Sequence, residues 1–204
     1  LVLPVSTFAC ACCAGDGTYS IWTGKPSGYD LEVVNGFEFA QSANLYVTEA
    51  EFEAIKGLES LRADFSSDKW SASIDKFDLV GSFTKSIWTL NFVTVSGKKG
   101  SLVLPIPAQM VKFKVDIHDP KTYGAGGPSL YKEFRFKGNV RSGTGMFGGG
   151  ITPKTTYFLV FQGRGNGCDN SEDFSHWRLE IQGAKARYAF FGRLNSGAAD
   201  EDPN

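Results

Sequence analysis

Methionine and histidine are scarce in this chain, with two of each among 204 residues. Charge of either sign never accumulates: 21 basic and 22 acidic side chains leave a formal net charge of -1. Lys and Arg occur singly, never in a block of five or six. Such a chain has no long-range field to draw nucleic acid or anionic membranes, so no nucleic-acid partner is expected. No run approaches the roughly 18 consecutive apolar residues that would span a bilayer as a helix, so no membrane span is expected. Motifs that announce catalysis are missing too. There is no Gly-x-Ser-x-Gly and no P-loop, and no pair of carboxylates stands out. The expectation is a non-catalytic protein.

What is present points to strands. Phe (17) and Gly (24) are both frequent, and aromatics punctuated by glycine suit pleated strands joined by tight turns. Val111-Lys-Phe113-Lys-Val115-Asp-Ile117-His118 alternates cleanly, with Val, Phe, Val and Ile on one face and Lys112, Lys114, Asp116 and His118 on the other. Trp88–Val95 and Ser101–Leu104 read the same way. The stretch Ser96–Gly100 between them reads as a hairpin loop with glycine available for a positive φ. Further strands are expected at Tyr29–Phe39, Lys69–Ile74, Leu130–Lys137, Thr156–Gln162, Trp177–Ile181 and Tyr188–Leu194. One short helix is expected over 48–57, where Thr48 and Glu51 form a capping box and Gly57 ends the run. The fold class is therefore all-β: an antiparallel sandwich or flattened barrel of roughly nine to ten strands with one short helix.

The first nine residues read as the tail of a secretory signal, with Thr7 and Ala9 as the small residues before a cut. Residues 10–197 then form a single β domain, and 198–204 a flexible acidic tail. A periplasmic or secreted location follows from that reading. A competing one makes Leu1–Ala9 a strand, in the extreme case one donated to a neighbour in a surface assembly.

Four cysteines, Cys10, Cys12, Cys13 and Cys168, are all disulfide candidates in an oxidising compartment. The simplest pairing ties one of the first three to Cys168. The thiols left over form a soft cluster suited to copper or zinc, with His176 as an added ligand and His118 as a further candidate. The polar connection that carries Cys168 also holds Arg164, Asn166, Asp169, Glu172 and Asp173, a candidate ligand loop. A small ligand or a metal ion is the expected partner. The alternative is a carbohydrate- or small-ligand-binding barrel in which the cysteines are only staples, with Trp22 and Trp70 as sugar-stacking candidates. Trp88 and Trp177 lie in strand patterns and are expected in the core. Met146 and Phe147, between glycines, are expected to fold back over it.

Overall fold

The computed structural model describes residues 19–46, 75–116, 130–165 and 169–195. The expected helix at 48–57, the expected strand at Lys69–Ile74, Trp70 and His118 lie outside these residues. So do all four cysteines, Asn166 and both chain ends.

Within them the chain is overwhelmingly antiparallel β. It runs β1 (Tyr19–Gly24), α1 (Gly28–Asn35), β2 (Phe39–Tyr46), β3 (Asp75–Thr84), β4 (Ile87–Thr94), β5 (Lys99–Pro105) and β6 (Met110–Asp116). It continues through β7 (Leu130–Asn139), β8 (Ser142–Gly145), β9 (Thr156–Gly165), β10 (Phe174–Gly183) and β11 (Ala186–Leu194). The eleven described strands form one curled sheet in the order β1-β6-β7-β9-β10-β11-β2-β3-β4-β5-β8.

Alternation along each strand sends one set of side chains into the curl. Trp88 is fully buried against Phe136 and Phe83, with ring centroids 4.9 and 5.1 Å away. Phe92 stacks on Phe190 at 4.4 Å, and Phe37 meets Phe161 at the same distance. The abundance of phenylalanine is thus spent inside, where aromatic pairs gain edge-to-face contacts beyond their area. Trp177 is buried as well. Met146 and Phe147 do fold back, into the space left by Gly100, where a Cβ would lie 2.6 Å from Met146 Cγ. The β4–β5 turn carries its positive φ at Gly97 (81°), and Thr94 Oγ1 accepts from the Lys98 amide at 3.0 Å.

Two expectations fail. Tyr29–Phe39 is not a strand: α1 occupies Gly28–Asn35 and β2 begins at Phe39. Ser27 caps the helix by accepting from the Asp30 amide, while the Asp30 carboxylate accepts from the Ser27 amide at 2.8 Å. Asp at the third helical position performs the reciprocal bond usually given to Glu or Gln, which is why the pattern was not legible as a start signal. Val33, Val34 and Phe37 then pack into the core.

The second failure concerns β6. Its apolar residues were expected to form a buried face, yet Met110, Lys112, Lys114 and Asp116 share the inner side. The register puts them beside Phe136, Phe134, Lys132 and Leu130 of β7, all four of which are buried. Val111, Phe113 and Val115 face outward and are half-buried among Tyr19, Tyr131 and Arg135.

Candidate functional site

The inward lysines of β6 and β7 would be untenable alone, because an isolated buried ammonium loses its hydration with nothing in return. Three carboxylates arrive to meet them. Asp30 comes from the first turn of α1, and Asp169 and Asp173 come from the segment between β9 and β10, which closes in a 3₁₀ turn at Ser171–Asp173. Lys132 is fully buried and donates to Asp173 Oδ2 at 2.5 Å. Lys112 donates to Asp30 Oδ1 at 2.9 Å, and Lys114 Nζ lies 2.7 Å from Asp169 Oδ1. Asp169 is also 3.9 Å from both Lys112 and Lys132, so it sits at the hub of three cations. The Lys114–Asp169 contact is an ion pair by distance whose angles fall outside those of a hydrogen bond.

Glycine makes this meeting possible. A Cβ on Gly163 would stand 1.8 Å from the Asp173 carbonyl oxygen, and one on Gly165 would stand 2.0 Å from Asp173 Oδ1. Gly163 faces Lys132 across the β7–β9 pair, so the missing side chain is the gap through which Asp173 reaches the lysine. The Gly163-x-Gly165 spacing therefore seats a turn.

Asp30 feels opposing influences. Burial pushes its carboxyl up, but the Lys112 hydrogen bond, the two Ser27 bonds and the Lys112 charge together hold it below its ordinary value of 3.8. Around this network lie two exposed aromatics. Trp22 is 43% exposed, with Lys112 Nζ 4.7 Å from its ring centroid, and Tyr29 is 51% exposed while its hydroxyl donates to the Asp169 carbonyl.

The sequence-derived site residues divide accordingly. Asp169 and Asp173 turn inward as structural partners of lysine. Glu172 lies on the surface beside Asn170, and Arg164 points outward near the end of β9. His176 is on the outer side of β10, where its Nδ1 lies 2.9 Å from the Ser175 hydroxyl oxygen. Among the described residues, no three His, Cys, Asp or Glu side chains are disposed to hold a metal ion. None of the described helices is long and apolar enough to cross a membrane. Lys112, Lys114 and Asp30 were missed as site residues. The only signal for the lysines was polar alternation in β6, which equally fits a solvated face.

The register brings one further relation. β1 starts, β6 ends, β7 starts and β9 ends at the same edge of the curl: Tyr19 faces Val115, Val115 faces Tyr131, and Tyr131 faces Arg164. Comparison with protein-family models, with curated proteins and with solved structures found no match to this chain.

Proposed function

We propose that this chain is an exported, non-catalytic binding protein whose working end is the one closed by α1 and the 169–173 turn. Its ligand is a soft metal ion, copper or zinc, held by thiolates of Cys10, Cys12 and Cys13. The observation that carries this reading is the convergence of strand ends. Tyr19 and Arg164 are three strand spacings apart, about 14 Å. The six residues from Cys13 to Tyr19 reach about 20 Å, so the cysteine cluster and Cys168 are within reach of each other. His118 follows the last residue of β6 by two positions in the sequence. His176, on the outer side of β10, is the described histidine that would add an imidazole to the ligand set.

The curl itself we read as a flattened barrel. What supports this is the direct passage of β7 into β8, which pairs with β5, together with the Arg141 amide donating to the Val103 carbonyl at 2.9 Å.

Titration of the purified protein with Cu(I) against a chromophoric competitor tests the metal site. Stoichiometric binding that is lost in the Cys10→Ser/Cys12→Ser/Cys13→Ser variant is expected. Equal binding by that variant, or four cysteines already oxidised in the exported protein, would leave the cluster as a staple. The second reading, a small-ligand site, then moves to Trp22 and Tyr29, the exposed aromatics at the same end.

A further inference from the structure

The Lys132–Asp173 pair differs in its surroundings from the other ion pairs of this end. Lys112 and Lys114 keep 23% and 13% of their side chains exposed, whereas Lys132 keeps none. On β7 it stands between Leu130 and Phe134, both fully buried, and across the strand pair it faces Gly163, which has no side chain to intervene. Phe174, the residue after Asp173, is also fully buried and packs on Phe134 with ring centroids 4.8 Å apart.

Three groups meet in this dry place. Lys132 Nζ lies 2.5 Å from Asp173 Oδ2, which puts it within about 3.5 Å of the carboxyl carbon, the separation of a near-attack pair. The carboxylate is held from its own turn, where Oδ2 accepts from the Asn170 amide at 3.3 Å. Asp169 Oδ1, buried and without a hydrogen bond, stands 3.9 Å from the same Nζ. A buried amine, a carboxyl group in contact with it and a second carboxylate beside them are the parts needed to make an amide. Burial supplies the drive, because the ion pair has given up the hydration of two charges and the amide carries none. The fixed contact supplies the rate, since reactants held this way act at effective concentrations of about 10⁵ M or more.

We infer that Lys132 and Asp173 condense into an intramolecular isopeptide bond, with Asp169 as the proton carrier. The proton shared by Nζ and Oδ2 passes to the oxygen, leaving an amine against a carboxylic acid. The nitrogen lone pair attacks Asp173 Cγ and forms the N–C bond. Asp169 approaches Nζ as the charges collapse, in the way that catalytic contacts tighten along a reaction. It takes a proton from the nitrogen and returns it to the protonated Oδ2, whose bond to Cγ breaks. One water leaves, Oδ1 remains as the amide carbonyl, and Asp169 ends as the carboxylate it began as. No oxidant, reductant or activating group is required. The ion pair is the form of the newly folded chain and the amide its aged form, tying β7 to the turn before β10 across 41 positions. Neither a cysteine nor a metal takes part, so this bond and the metal reading fail independently.

The test is intact mass spectrometry of the full chain, reduced and denatured, at intervals after refolding. A species lighter by one water, about 18 Da, is expected to accumulate. Trypsin should then release a branched peptide joining residues 122–135 to 165–178, because it does not cut after an acylated Lys132. Asp169→Asn keeps Lys132 beside Asp173 and should slow the reaction about a hundredfold. Asp173→Asn should give the same branch with loss of ammonia, about 17 Da, and serves as an independent probe should Asp169→Asn fail to fold. Lys132→Arg keeps the positive charge and should keep the full mass. A full mass retained by the unaltered chain, a loss of water that persists in Lys132→Arg or maps to other residues, or an unchanged rate in Asp169→Asn would each overturn the proposal.

Discussion

The interior of the curled sheet has two chemically different halves built on the same strands. Along β7 the inward residues change from Phe136 and Phe134 to Lys132, and along β6 they change from Met110 to Lys112 and Lys114. On one side of that boundary, rings pack against rings. On the other, three ammonium groups and three carboxylates hold one another. The difference lies in how each half is specified. The aromatic half needs only volume and apolarity, and similar chains can substitute with modest loss. The charged half needs every partner, because removing one strands another in a poorly solvated place.

That contrast can be broken from either side. The largest effect is expected from Trp88→Ala, which empties the space between Phe83, Phe136 and Phe161. It should cost about 3–5 kcal/mol in urea unfolding, whereas Trp88→Phe should cost clearly less.

In the charged half, Lys132→Ala should cost about 3 kcal/mol, because the Asp173 carboxylate loses its closest cation. If the halves differ as argued, Lys132→Met combined with Asp173→Asn costs less than the two single changes summed, by about 1 kcal/mol or more in a double-mutant cycle. Strict additivity would mean the pair is not coupled.

Acid sharpens the same comparison. The folded Asp30 carboxyl sits below its ordinary 3.8, so its contribution to stability is present above that value and vanishes as pH falls through the folded one. Asp30→Asn should therefore destabilise the protein at neutral pH and flatten the stability curve below about pH 4, read from urea midpoints at each pH. Trp88→Ala should leave the shape of that curve unchanged.

The smallest effect belongs to the outer surface. Arg178 and Glu180 pair at 3.1 Å but are 53% and 32% exposed in their side chains. Arg178→Ala should change stability by no more than about 0.5 kcal/mol, because an exposed pair in water is screened.

Much of the sheet was legible because period-2 alternation is a local property. Trp88–Val95, Ser101–Leu104 and Tyr188–Leu194 all read correctly to within a residue or two. Some elements left little trace. β8, Ser142–Gly145, has no apolar residue to alternate. The β3–β4 turn puts Lys85 and Ser86 at φ 51° and 65° without the Asn or Gly that usually marks such a turn. β1 and β2 were not anticipated either. The β1 residues are almost all exposed, so no buried stripe betrays the strand.

By itself the sequence determined that this chain builds antiparallel strands with an aromatic filling, because alternation, ring content and glycine punctuation act over a few residues. Only the tertiary structure decided which face of β6 turns inward. In isolation Val111, Phe113 and Val115 are the better core residues. What reverses the choice is the arrival of Asp30, Asp169 and Asp173 from segments distant in the chain, admitted by two glycines whose missing side chains leave room for them. A lysine is buried only where a carboxylate is waiting, and where the carboxylates wait is a property of the fold.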